Sequence, residues 1–387
     1  MLPLPEIGRR IRTLREELDI PRADLAAACG VAEAVIEQLE AGRLEQVPGD
    51  YILIVARLLK VDFRWFISED LDGIEQGTRR IFRALSQGTS RDRVAIRRFV
   101  GFCLNESELE KLLGIHRISL PVVYPAPESR RQLYKEQGPA AARAERVRLN
   151  LGLKPIFNVF SIIRSQGLRL SRQKLDSKEI SGLTVFHPRA GTAILVNYEE
   201  DMYRQFFSAA HEYAHALFDG RELEEKRVLV SYKKVYDWTE IRANTFAAEF
   251  LLPQEALAQY ARPRDLSSLT AIIDQIARDY RVNTETVAIR AKEVGWISDK
   301  TLSSFREKKP IVIPRADKQD PELSDDLTSL QVERWKALIA QGVSVYYAEL
   351  CRRALTSDLI TFGRFAELLD LTPEEASEFI QMAGLAL

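Results

Sequence analysis

The chain has 387 residues, 46% of them apolar and 29% charged, a globular balance that suggests two or three domains with room for a large core. A net charge of −1 excludes a chain-wide polyelectrolyte, so any contact with nucleic acid must come from local charge. Three widely spaced cysteines without a CxxC pair argue against a disulfide framework or a cysteine zinc finger, and no run approaches the ~18 apolar residues that span a bilayer, so a cytoplasmic, reducing setting is expected.

Charge divides the first part of the chain. Residues 1–70 carry 9 Lys and Arg against 13 Asp and Glu, whereas residues 71–150 carry 15 against 9. Apolar stripes at Ile7, Ile11 and Leu14, at Leu25 and Ala28, at Val31, Val35, Ile36 and Leu39, and at Ile54, Val55, Leu58 and Leu59 predict a string of short helices, with Gly30 at a tight turn. With Ile7-Gly8, Leu14-Arg15, Leu25-Ala26, Gly30-Val31, Ile36 and Glu40-x-Gly42, this segment resembles the Cro/repressor-type helix-turn-helix family, which implies a five-helix domain over 1–70. Its recognition helix reads Ala32-Glu33-Ala34-Val35-Ile36-Glu37-Gln38, and the two glutamates oppose the phosphate attraction on which DNA affinity depends. Protein contact, for example docking on the helix-turn-helix of a partner, is the expected alternative to DNA binding.

Residues 71–125 read as a basic helical connector. Seven arginines fall within twenty residues, and Arg79, Arg80, Arg83, Arg93, Arg97 and Arg98, with Phe82 and Phe99 among them, are candidate contacts to single- or double-stranded nucleic acid. The competing expectation is a solvated basic face. Cys103 is a candidate inhibitory thiolate ligand for a metal, against a plain buried cysteine.

Residues 126–305 form the next expected domain. A helix is predicted through KPIFNVFSIIRSQG, strands at LTVFHP and TAILVNY joined at Arg189-Ala190-Gly191, and helices from about 200 to 218 and 237 to 252, the last stopped by Pro253. The first of these two long helices contains His211-Glu212-Tyr213-Ala214-His215. Residues four apart share a helix face, so both imidazoles meet one point, and nitrogen donors suit zinc. Glu212 is placed as general base. The second long helix offers Glu240 or Glu249 as third ligand; Glu240 is favoured, with Asn244 one turn on and Asp219 beyond His215 as candidates to orient the imidazoles from behind. His187 and Tyr213 are the nearest candidates to stabilise an oxyanion, against ordinary structural roles.

The order Ile194-Leu195-Val196-Asn197, Arg204, Phe207, AAHEYAH, Glu240-x-x-Ala243-Asn244-x-Phe246-Ala247-Ala248 and Leu251-Leu252-Pro253 resembles the ImmA/IrrE metallopeptidase family over about residues 140–300. The resemblance implies a gluzincin-type domain with a small sheet, one zinc on His211, His215 and Glu240, Glu212 as catalytic glutamate, and a small repressor as substrate in a DNA-damage, mobile-element or anti-phage response. The rival reading is a DNA-binding regulator or antitoxin-like module whose peptidase domain senses rather than cuts. Residues 306–327 read as a linker and 328–387 as an acidic, helix-turn-helix-like helical domain, so the expected class is mainly α with a small β-sheet.

Overall fold

The computed structural model describes residues 2–69, 76, 78–79, 81, 89–117, 124, 131–220, 223, 228–232, 237–263, 265–308, 311, 313–314 and 318–382. The amino-terminal domain comprises α1 (Leu4–Glu17), α2 (Arg22–Cys29), α3 (Glu33–Glu40), α4 (Gly49–Leu58) and α5 (Arg64–Ile67). Ile7, Ile11, Leu14, Leu25, Ile36, Leu39 and Val55 bury the expected stripes in one core. Gly30 ends α2 at φ 67°, a left-handed turn that an L side chain resists. Buried Glu40 accepts from Arg15 at 2.5 Å and Arg22 at 2.7 Å, which fixes α3 against α1 and α2.

The 23-residue helix α6 (Ser90–Leu112) starts at a capping box between Thr89 and Asp92. It serves three cores at once. Val94 packs on the amino-terminal domain, Ile96, Phe99, Val100 and Cys103 cover one face of the sheet, and Phe102 and Leu109 enter the carboxy-terminal core. A helix enclosed this way has no continuous solvated basic face. Among the described arginines, Arg79 pairs with Glu17, Arg93 with Asp19 and Arg98 with Asp370, while Arg97 is buried. The expected nucleic-acid strip is therefore not formed by these four side chains; Arg80 and Arg83 lie outside the described residues.

The central domain contains α7 (Arg131–Arg148), α8 (Val159–Ser165), β1 (Arg169–Gln173), β2 (Ile180–His187), β3 (Gly191–Asn197), α9 (Met202–Phe218), β4 (Val228–Tyr232) and α10 (Trp238–Leu251). A 3-10 turn (Gln254–Gln259) and α11 (Leu266–Tyr280), α12 (Thr284–Glu293) and α13 (Asp299–Lys308) follow. Helix α8 is shorter than its apolar pattern suggests because the Asn158 side chain accepts from Ser161 N at 2.9 Å and starts the helix there. The sheet order is β1-β3-β2-β4, with β1 and β3 parallel and the other pairs antiparallel. Strand alternation sends Leu170, Ile194 and Val196 toward the core that α9 shares, and Leu183, Val185, Ala193 and Leu195 toward α6.

The stretch expected as a linker is anchored where it is described. Arg172, fully buried, binds Asp320 and Glu322 at 2.7 Å each, and Lys318 binds Asp201 at 2.8 Å. Helices α14 (Ser329–Ala340), α15 (Val345–Thr356), α16 (Phe362–Leu368) and α17 (Pro373–Met382) form the carboxy-terminal core. They meet β1 where Lys174 N donates to Ala340 O at 2.8 Å.

Candidate metal centre

Helix α9 begins at Asp201, whose carboxylate accepts from Tyr203 N and Arg204 N. The helix packs on α10 through Tyr213, Phe218, Phe246 and Phe250, with ring centroids 5.8–6.1 Å apart across the pair. Helix α10 is started by Asp237, which accepts from Glu240 N at 2.9 Å and so places Glu240 in the first turn.

These two helices bring three side chains to one point. His211 Nε2 and His215 Nε2 are 3.1 Å apart, and the Glu240 carboxylate lies 3.1 Å from the first and 3.2 Å from the second. All three residues are buried, and their ligand atoms lie within 4.8 Å of one another, a set that could hold a metal ion. Each imidazole is oriented from behind. His211 Nδ1 faces Asn244 Oδ1 at 3.0 Å and His215 Nδ1 faces Asp219 Oδ2 at 2.8 Å. Both partners are acceptors, so each Nδ1 carries a proton and each Nε2 is turned to the centre, where a metal ion would take the place of any proton held there. Asp219 is held in turn by buried Arg242, whose guanidinium lies 4.3 Å from the Phe218 ring centroid.

The electrostatics select positive charge. Burial alone would lower the His215 imidazole, yet hydrogen bonds with Asp219 and Glu240 carry it up to about 10. Burial alone would raise Glu240, yet the two imidazoles bring it down to about 2. A site that holds a proton so firmly suits a cation of higher charge.

Glu212, on the same helix turn, is fully buried, and burial raises its carboxyl above the usual range. Thr184 Oγ1 of β2 donates to its Oε2 at 2.7 Å. Its Oε1 makes no hydrogen bond of ordinary geometry among the described residues, and the Ser231 hydroxyl of β4 lies beside the carboxylate and counters the effect of burial. Gly182 makes the room: a Cβ there would sit 2.9 Å from Glu212 Oε1 and 3.0 Å from Leu195 O. Gly182→Ala is therefore expected to displace the Glu212 carboxylate. The structure of the variant should show that carboxylate moved away from Thr184 Oγ1.

Two domain models match the chain. The IrrE N-terminal-like domain of a peptidase family covers residues 163–292, and a helix-turn-helix domain covers residues 6–63. Together the two matches fit the arrangement of an ImmA/IrrE protein with an amino-terminal helix-turn-helix domain. A search of curated proteins found no match.

The matched peptidase-like region gathers His211, Glu212, His215, Asp219, Glu240 and Asn244, and the remaining candidates lie elsewhere. Glu249 is bound by Arg290 at 3.0 Å and Arg143 at 3.3 Å. Tyr213 is buried, donates to Glu145 Oε2 at 2.8 Å, and its phenol is pushed up by burial beside that carboxylate. His187 shares the strand parity of Leu183 and Val185, the face turned to α6, and its Nδ1 accepts from Arg189 N at 3.2 Å. Cys103 is buried on that same far side of the sheet, where desolvation drives its thiol strongly upward, so it is not an inhibitory ligand in this structure. Thr184, Gly182 and Arg242 were not foreseen. Only the glycine inside an apolar strand carries a signal, as a mark of close backbone approach.

The recognition helix α3 leaves Glu33, Ala34, Glu37 and Gln38 exposed. The surface that would face phosphates is acidic.

Proposed function

We propose that this protein is a cytoplasmic zinc endopeptidase of the HExxH, gluzincin type. One zinc per chain would be held by His211, His215 and Glu240. Its substrate would be a small helix-turn-helix repressor, whose cleavage releases an operon in a DNA-damage, mobile-element or anti-phage response. The observation that carries the reading is the meeting of two imidazole nitrogens and one carboxylate beside a second, buried carboxylate, that of Glu212. Two nitrogens and one oxygen are a donor set of catalytic zinc sites.

Bound zinc would supply Lewis acidity at a scissile carbonyl and lower the pKa of water. Glu212 Oε1 would take the proton of the attacking water and deliver it to the leaving amine, while Thr184 Oγ1 fixes the other oxygen. Asn244 and Asp219 keep both Nε2 lone pairs on the centre. Strand β4 pairs with β2 alone among the described strands, so its outer edge suits an extended peptide added as a further strand. The exposed Glu33 and Glu37 suit a basic protein surface, such as a repressor's DNA-reading face, better than DNA itself. No described helix is long and apolar enough to cross a membrane.

The test is incubation of the purified chain with small helix-turn-helix repressors encoded in its genomic neighbourhood. A defined cut that a chelator prevents and zinc restores supports the reading. Sequence-specific DNA binding without any cut would support the regulator instead. Asp219→Asn and Asn244→Ala should each weaken metal affinity by roughly 10–100-fold, measured by competition with a chromogenic chelator.

A further inference from the structure

A cavity of about 430 Å³ opens where the amino-terminal domain, α6 and the carboxy-terminal helices meet, away from the metal centre. That size lies within the range of small-molecule sites. Apolar and aromatic side chains, including Phe63, Trp65 and Phe102, form much of the lining.

The charge of the lining is unbalanced. Eight cationic side chains face four carboxylates. Asp62 is held by Arg64 at 2.6 Å and Glu367 by Arg364 at 2.8 Å. The remaining contrast centres on Asp370, which alone serves Lys60 at 2.7 Å, Arg98 at 3.1 Å and Arg57 at 3.6 Å. These three cations come from two different parts of the fold and converge on a carboxylate from a third. Lys60 is mostly buried, and burial, with Arg98 and Arg57 adding to it, pushes its ammonium below the usual lysine range. Arg98 Nε is buried without a hydrogen-bond partner among the described residues. One carboxylate cannot neutralise three cations, and arginine forks match phosphate oxygens.

We propose that this junction is a binding site for a nucleoside phosphate, whose phosphate joins Lys60 and Arg98 beside Asp370 and whose base occupies the apolar, aromatic part of the cavity. The ligand would fasten the helix-turn-helix domain, the spine helix and the carboxy-terminal domain together, since each contributes to the wall. Of the arginines that the sequence marks for nucleic acid, Arg98 would thus meet an anion at the junction rather than along a solvated strip. This site is independent of the proposed zinc chemistry and stands or falls on its own test.

Isothermal titration of the full chain with ADP, inorganic pyrophosphate and a 5′-phosphorylated thymidine tetranucleotide tests it. Binding of ADP or of the tetranucleotide at least about tenfold tighter than pyrophosphate is expected, because pyrophosphate lacks the apolar body. Tighter binding of ADP assigns the site to free nucleotides, and tighter binding of the tetranucleotide to a DNA end. Lys60→Gln and Arg98→Gln should each weaken binding about tenfold, the loss of a charge-assisted hydrogen bond. Asp370→Asn should tighten it several-fold, because it removes the competing anion while asparagine keeps the left-handed φ of 57° at this position. Lys60→Gln and Asp370→Asn break the same ion pair, so a merely structural cluster would shift both in one direction. A shift in the same direction, pyrophosphate binding as tight as the nucleotides, or no binding of any phosphate at millimolar concentration overturns the proposal.

Discussion

Glu212→Gln will leave the fold and the bound metal as they are and slow peptide hydrolysis by roughly 10²–10⁴-fold, the usual range for loss of a general base. Glutamine keeps the shape of the side chain and can still accept from Thr184 Oγ1, so the contact to β2 survives. What disappears is an oxygen able to take a proton. Burial raises the Glu212 carboxyl, which brings its proton affinity closer to that needed near neutral pH. The residue is not a metal ligand in this geometry, since the three donors that converge are His211, His215 and Glu240. Stoichiometric metal with a rate lowered by orders of magnitude is thus the expected pair of results. An unchanged rate would remove Glu212 from the chemistry.

Arg172→Ala is expected to cost roughly 3–5 kcal/mol of stability, the scale of a broken buried ion pair, read from urea unfolding. The Arg172 side chain is fully buried, and its guanidinium lies 4.5 Å from the Phe160 ring centroid while binding Asp320 and Glu322. Alanine would leave two carboxylates with little solvent and, for Asp320, no comparable cation among the described residues. The same network predicts an acid limb. Burial alone would raise Glu322, but Arg164 and Arg172 together hold it below 4.5. A carboxyl depressed in the folded state adds stability that is present above the unfolded value and lost as pH falls through the folded one. Wild-type stability should therefore decline as pH drops below about 4.5, and Arg172→Ala should flatten that decline. A loss under about 1 kcal/mol would show that residues 318–323 are not a structural strap.

The candidate metal site was largely legible because its determinants are local. The four-residue spacing of His211 and His215 needs only a helix, and Glu240 and Asn244 share a face one turn apart. The choice of Glu240 over Glu249 agrees with the packing, where Asp237 starts α10 just ahead of Glu240. The hairpin of β2 and β3 followed from its alternation. Strand β1 did not, because its Arg169 and Arg172 read as solvent-facing until their buried partners Glu110, Asp320 and Glu322 are known. Those partners lie 59 to 150 residues away, beyond any local pattern. The placement of the arginines of α6 was not legible for a related reason: periodicity shows that a helix is amphipathic but not that three separate cores will enclose it. Cys103 followed its helix to the sheet face opposite the metal centre, a placement that depends on strand parity and topology together.

Metal analysis of the chain purified without chelator, alongside His215→Ala, most directly tests the central claim that α9 and α10 together make a metal site. One equivalent of zinc in the wild type and almost none in the variant is the predicted result. Wild-type protein that binds no metal even after incubation with excess zinc, or a His215→Ala variant that retains a full equivalent, would contradict it.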